Sequence, residues 1–441
     1  MEWERESVDA FVIRNARVID PFSERDEVSD VVVVDGIVAT GTPRDAMVID
    51  GSGLIVCPGL LDIHVHLREP GQTHKETIAT GTAAAAAGGF TFVAAMPNTQ
   101  PPVDNPDIVA AIRRSAHQAD HCEVGPVAAI TQGRHGRAIV DFESLAQAGA
   151  VAFSDDGTGV EDDQVMREAF RAAARVGSVL IQHCEYVEIS AGGVMHLGEI
   201  SRRLGFPGLD PRSEEAMIER DLELCEETGG RYHVAHISTA RAVEMVRNAK
   251  NKGLPVTTEV CPHHLILTDE ACANADPNTK MHPPLRRDED VEACRTGLVD
   301  GTIDCIATDH APHGADEKAK GFLSAPPGIV GLETAIPLAR LAMIESGLAD
   351  WADLVRWFSK GPAEVLGLGR PPIQPGHSAN LTVLDPNRGW KIDPATFRSK
   401  SRNTPFAGWD VIGRAWGSIR GRCVLHDPGD SQRRPLDGGI E

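Results

Sequence analysis

Between residues 60 and 308 the chain repeats one pattern eight times: a short, mostly apolar run with the look of a buried strand. The runs lie at 60–66, 90–96, 123–130, 150–154, 178–183, 232–237, 255–261 and 302–308. Stretches of helical character fall between them, at 76–88, 107–118, 142–149, 163–177, 214–229 and 239–253. Eight strands alternating with helices predict a parallel sheet closed into a (β/α)8 barrel. The alanine run at 83–87 fits a helix packed closely against that barrel.

The two ends read differently. Residues 10–57 hold short β segments punctuated by Gly and Asp, and residues 378–386 and 411–427 resume that style. The expected architecture is α/β: a (β/α)8 TIM barrel over residues 59–369, beside a small β-sandwich assembled from residues 1–58 and 370–441.

Charge excludes one class of function. With 43 Lys and Arg against 64 Asp and Glu, the formal net charge is −21, whereas a nucleic-acid binder needs a basic face. A small anionic substrate remains compatible, because a local cationic pocket acts inside the roughly 8 Å over which salt screens the distant surface. Every apolar run is broken well before the length of a membrane span. The nine cysteines are scattered, odd in number and without a C-x-x-C pair, which predicts a reducing compartment. The first 14 residues are polar and acidic, unlike a signal peptide, so a cytoplasmic setting is expected.

In barrels of this kind reactive groups sit where strands end. The first run closes on His64 and His66, which alternate onto one face of a strand. The fourth closes on Asp155 and Asp156, the fifth on His183, the sixth on His236 and the eighth on Asp309. Each is ordinary alone. Together they bring four imidazoles and two carboxylates to one face, a donor set for Zn²⁺, or for Mn²⁺ or Co²⁺ in its place. Six ligands suit two divalent ions sharing a bridging carboxylate, and composition leaves Asp155 and Asp156 both open for the bridge. His263 and His264 read as packing or supporting groups, and Cys184 as a small core residue.

Several motifs carry a family resemblance: DIHVHLREPG (62–71), MPNTQP (96–101), FSDDG (153–157), HCE (183–185), AHIS (235–238), KMHPPLR (280–286), TDHAPH (308–313), PPGIVGLETA (326–335) and NTPFAGWDVIGR (403–414). By these the chain resembles the amidohydrolase superfamily, and within it the type I dihydroorotases, over about residues 10–426. The resemblance implies one metal on His64, His66 and Asp309, and another on His183 and His236. Its 27-residue spacing to His183 selects Asp156 as the bridge. It implies the reversible conversion of N-carbamoyl-L-aspartate to L-dihydroorotate, the third step of pyrimidine biosynthesis, by a hydroxide shared between two divalent ions, most simply Zn²⁺. Asp309 is then the catalytic proton carrier, between the attacking hydroxide and the ring nitrogen.

The implied substrate contacts are His66, Arg68, Asn98, His313, Pro327 and Gly328. Arg68 offers a fork that matches a carboxylate, and Gly328 permits close backbone approach. His282 departs from the family, which has Asn there, so the contact it makes with the substrate ring is an open expectation. Glu185 is a candidate for orienting a metal ligand, and residues 313–328 read as a mobile loop over the site. Two alternatives remain. Hydantoinases and allantoinases resemble the chain more loosely and bridge their metals with a carboxylated Lys, which the fourth-strand region lacks. A non-catalytic partner of a transcarbamoylase would have lost ligands that this chain keeps. A homo-oligomer and a complex with aspartate transcarbamoylase are both compatible with the sequence.

Overall fold

The computed structural model describes residues 4–426; the ends of the expected sandwich domain, 1–3 and 427–441, lie outside the described residues. Eight strands form one parallel sheet in chain order: β1 (Leu60–Val65), β2 (Phe90–Ala95), β3 (Glu123–Ala128), β4 (Ala152–Ser154), β5 (Val179–Gln182), β6 (Arg231–Val234), β7 (Val256–Val260) and β8 (Cys305–Ile306). Closure falls just beyond β8. Val65 bridges His310 in parallel, and the His66 N–H donates to the His310 carbonyl at 2.9 Å. The buried Asp62 carboxylate adds a tie by accepting the Thr308 hydroxyl at 2.5 Å. The sheet therefore forms a barrel whose seam lies beside two of the expected metal ligands.

Local chemistry explains the surrounding helices. Helix Asp163–Arg175 starts at Asp162, whose carboxylate accepts the Val165 N–H, a cap worth about 1 kcal/mol. It buries Met166, Ala169, Phe170 and Ala173, one helical face at three- and four-residue spacing. Helix Ile78–Ala87 is capped by Thr77 and buries Ala84 to Ala87, whose small side chains let it lie close to the sheet. Helix Asp288–Val299, before β8, carries three acids in its first turn and has a weaker apolar stripe, so its pattern is harder to read from sequence. Among the described residues no helix is long and apolar enough to cross a membrane.

Leu61, Ile63, Phe92, Val127, Ala152, Val179, Ile181 and Cys305 gather in one buried cluster, joined by Ala363, Val365 and Leu366 of helix Lys360–Leu366. Side chains from β1 to β5 and β8 meet only along the barrel axis, so this cluster is the packed interior beneath the mouth.

The chain ends combine as the sequence predicts. Nine strands form a mostly antiparallel sheet in which Glu4–Ser7 pairs with Cys423–His426, and Ile55–Pro58 pairs with Asn380–Lys391. Eight of these strands are joined in one continuous hydrogen-bonded path, the ninth (Met47–Asp50) pairs off it with Ala10–Asp20, and the sheet surrounds a separate core that includes Phe11, Ile13, Val56, Leu381 and Trp416. Thr382 fastens this layer to the barrel, donating its hydroxyl to the Gly89 carbonyl at 2.6 Å and accepting the Leu60 N–H at 3.1 Å. From this layer residues 399–406 run back to the barrel mouth, where the Ser399 hydroxyl bonds Glu76 at 2.5 Å.

Candidate active site

The strand ends converge. His64 Nε2 lies 3.2 Å from Asp156 Oδ1 and 3.6 Å from Asp309 Oδ1, and His66 Nε2 lies 2.8 Å from Asp309 Oδ1. From the other side His183 Nδ1 and His236 Nε2 each stand 3.7 Å from Asp156 Oδ1. Asp156 is thus the carboxylate that both sets share. Asp155 points away: its carboxylate accepts the backbone N–H groups of Ile130 and Thr131 and the Thr131 hydroxyl. The choice left open by composition is made by which neighbouring amides need an acceptor.

The donor set fits a divalent pair on three counts. His64 Nε2 is buried without a hydrogen-bond partner and faces two carboxylates. His183 Nδ1 and His236 Nε2 face one another at 2.9 Å, where a proton on both is impossible and a cation between lone pairs is favourable. Two groups of three donors, His64–Asp156–His236 and His64–His66–Asp309, have ligand atoms close enough to hold an ion.

Electrostatics sort the imidazoles. Burial pushes His66 and His236 below the usual histidine range, leaving neutral rings suited to ligation. Burial also opposes charge on His64 and His183, but nearby carboxylates outweigh it: Glu259, Asp156 and Asp309 at His64, and Asp156 and Glu185 at His183, which is raised to about 9. Asp309 moves the other way. Burial works against its ionised form, yet His64 and His66 draw it down to about 2.

Backbone conformation completes the site. Arg68, His236 and Asp309 all have positive φ, at 58°, 33° and 45°. Such values are uncommon for residues with a side chain, and they cluster where surrounding structure imposes them. For Arg68 this matters directly. Strand β1 ends at Val65, so strand alternation does not reach Arg68. The left-handed turn instead carries its guanidinium to the mouth, where Nε donates to the Pro312 carbonyl at 3.2 Å and Nη2 stands 3.3 Å from His313 Nε2. Burial lowers its pKa to about 10, so it stays cationic at neutral pH.

A cleft of about 280 Å³ opens over the donors, lined by His66, Arg68, Asn98, Asp156, His183, Glu185, His236, His282, Asp309, His313, Pro327 and Gly328 among others. Every expected substrate contact therefore reaches one cleft, and His64 lies buried beneath it. Asn98 and His282 make polar contacts of their own within it. Asn98 Oδ1 accepts from His66 Nδ1 (2.8 Å) and its amide N–H donates to Asp156 (3.2 Å), so it orients two of the metal-ligand candidates. His282 Nε2 lies 2.8 Å from Glu185 Oε2, while its ring stacks on His183 at 5.3 Å. His263 and His264 are buried outside the cleft lining, and Cys184 packs against Tyr232.

Sequence reading passed over Glu259. Fully buried on β7, it reaches His64 Nδ1 at 2.5 Å and His233 Nε2 at 3.3 Å. The one charged residue in a strand expected to be buried was the only available signal, because a lone buried carboxylate is costly, and it does not reveal the partner.

Comparison with known proteins places this geometry. A family model described as "Dihydro-orotase-like" matches residues 53–242. A curated dihydroorotase of Pelotomaculum thermopropionicum is 47% identical over 421 residues, 94% of this chain and 98% of that protein. One from Syntrophus aciditrophicus is 44% identical over 423 residues, 94% of this chain and 99% of its own. Among solved structures, an L-hydantoinase (dihydropyrimidinase) of Arthrobacter aurescens superposes with a TM-score of 0.84 at 25% identity, covering 98% of this chain and 97% of that one.

Proposed function

The chain belongs to the dihydroorotase-like family of cyclic amidohydrolases, and we propose that its barrel mouth interconverts L-dihydroorotate and N-carbamoyl-L-aspartate with two divalent ions, zinc in the first instance. The observation that carries this reading is the meeting of His64, His183 and His236 on Asp156, with His66 and Asp309 alongside and a buried Arg68 at the same cleft. His64, His66 and Asp309 would hold one ion and His183 and His236 the other, with Asp156 between. Such a pair, when bound, activates water at neutral pH.

The protein's own groups do the rest. Arg68, cationic and buried, grips the substrate carboxylate with paired N–H donors, supported by His313. His313 is kept neutral by burial and by the cations of Arg68 and Lys75, so it adds no competing charge. Pro327 and Gly328 present backbone to the ring. Asp309, ionised at neutral pH, takes the proton of the attacking water and returns it to the ring nitrogen as the C–N bond breaks. In the cyclising direction the same carboxylate removes a proton from the carbamoyl nitrogen.

We propose two parts, a hydrolase barrel over 59–369 and a supporting layer built from both ends, 1–58 and 370–441. Nine unpaired cysteines support a reducing, cytoplasmic setting. A hydantoinase reading is supported by the structural likeness to the L-hydantoinase. Against it stand the aspartate at the bridging position and the guanidinium beside it. The deciding experiment pairs metal analysis of the purified protein with assays on dihydroorotate, hydantoin and allantoin. Two equivalents of metal and turnover of dihydroorotate alone are expected; turnover of hydantoin in preference to dihydroorotate would overturn the reading.

A further inference from the structure

The motif around residue 403 has no part in the reaction as described, yet its first side chain reaches the substrate loop. Asn403 is buried, with 4% of its surface exposed, on the segment that returns from the terminal sheet. Its amide oxygen accepts the His313 N–H at 3.0 Å. Its amide nitrogen donates to two carbonyls, Ala311 at 2.9 Å and Gly328 at 2.9 Å. Its own carbonyl accepts the Val330 N–H at 2.9 Å. One side chain thus ties both ends of the loop 313–328 together, at the two points where that loop supplies His313 and Gly328 to the cleft.

Other contacts tie the loop to its surroundings, among them Arg68 Nε to the Pro312 carbonyl, the Gly328 N–H to the Lys280 carbonyl and Lys318 to the Pro326 carbonyl, but few join its two arms directly at the base. His310 and Ile329 form a single parallel bridge, and the Ala311 N–H donates to the Ile329 carbonyl at 2.9 Å. Beyond that pair Asn403 bonds both arms and takes the place of the next rung. An amide suits this position because it offers one acceptor and two donors to one N–H and two carbonyls. A carboxylate would set negative charge against both carbonyls, and a shorter side chain would leave three buried backbone groups unpaired. Gly328 shows how tightly the junction is packed: a Cβ there would meet the Ala311 carbonyl oxygen at 2.6 Å and His313 Cδ2 at 2.8 Å.

We propose that Asn403 is a positioning residue for substrate binding: by clamping the two ends of the loop 313–328 it holds His313 and Gly328 at the cleft without itself touching the substrate. The catalytic part of this inference rests on the dihydroorotase reading; the clamp itself does not.

The test uses the full, metal-loaded chain and its Asn403→Ala and Asn403→Asp variants, with two independent readouts. Hydrogen–deuterium exchange is followed by mass spectrometry without substrate. Exchange across 313–328 should rise about tenfold in both variants while the peptides of β1 to β7 keep their wild-type rates. Steady-state kinetics on dihydroorotate should show KM raised about tenfold with kcat changed less than about threefold. Loop exchange equal to wild type overturns the clamp, as does a uniform rise over the whole barrel. Loop exchange that rises with an unchanged KM overturns the role in binding. If Asn403→Ala does not yield folded protein, Asn403→Asp, which keeps the acceptor for His313 and loses the donors, decides by the same criteria. A wild-type chain inactive on dihydroorotate sinks the functional reading, and the exchange data still judge the clamp.

Discussion

His64 and Glu259, 195 residues apart in the chain, meet at 2.5 Å between Nδ1 and Oε1, both fully buried. The contact sets the tautomer of a candidate metal ligand. With Nδ1 committed to the carboxylate, Nε2 is left to face Asp156 and Asp309. The same Glu259 oxygen accepts the His236 N–H at 3.3 Å, so one carboxylate orients ligands from two strands. Burial disfavours the charge on Glu259, but His64 and His233 outweigh it and hold the carboxyl well below its usual range. Replacing Glu259 with Gln should weaken metal affinity about 10- to 100-fold. Metal retention during dialysis against a graded chelator measures this, and wild-type retention would remove the orienting role.

Asp309→Asn keeps the shape of the side chain and removes its basicity. The expected result is a kcat lower by about 10²- to 10⁴-fold, the range of general base catalysis, with substrate affinity largely kept. Single-turnover rates separate chemistry from binding, and a kcat near wild type refutes the proton-carrier assignment.

Arg68→Ala removes the cleft's buried guanidinium, whose Nη2 also stands 3.3 Å from His313. Loss of a charge-assisted bidentate contact should raise KM at least about tenfold, with a smaller change in kcat. The loss should be milder for an uncharged cyclic amide than for dihydroorotate, and equal losses for both would count against a carboxylate contact.

Lys318 gives a pH prediction away from the metal ligands. Its ammonium donates to the carbonyls of Pro277 and Pro326, and burial lowers its pKa from 10.5 to about 7. The folded chain therefore binds fewer protons than the unfolded chain between pH of about 7 and 10.5, so this group makes stability rise with pH across that window. Below about 7 both states are protonated and the cost of burying the charge is present in full. Thermal unfolding from pH 7 to 10 should show a positive slope in wild type relative to Lys318→Met, at most about 1.4 kcal/mol per pH unit. Parallel curves for the two proteins would contradict it.

Gly328→Ala should be poorly tolerated for two reasons: φ there is +150°, and the added carbon would stand 2.6 Å from the Ala311 oxygen. A local cost of about 1–3 kcal/mol is expected, with KM raised because His313 must shift. Calorimetry and kinetics on the same preparation check both.

The barrel and its strand ends were legible in the sequence because burial on a parallel sheet leaves a mark in every strand. Apolar runs ending in His64, His183, His236 or Asp309 stand out whatever their neighbours are. Glu259 was harder to see, since its partner lies 195 residues away and nothing local distinguishes a buried pair from a lone acid. Asn98 was recognised as a site residue, but its engagement with His66 and Asp156 depends on β2 lying beside β1 in the right register. Arg68 lies beyond Val65, where strand alternation stops, and a left-handed turn that local spacing does not reveal carries it to the cleft.

The sequence by itself determined which elements form and which donor types close them, because those follow from periodicity and from side-chain chemistry over a few residues. Only the tertiary structure decided how the donors divide their work: Asp156 toward the histidines and Asp155 toward backbone amides, Glu259 behind His64, Asn403 across the loop base. Those choices turn on distances between segments brought together by barrel closure, and a hydrogen bond's strength falls away within a fraction of an ångström, a scale that spacing along a chain does not encode.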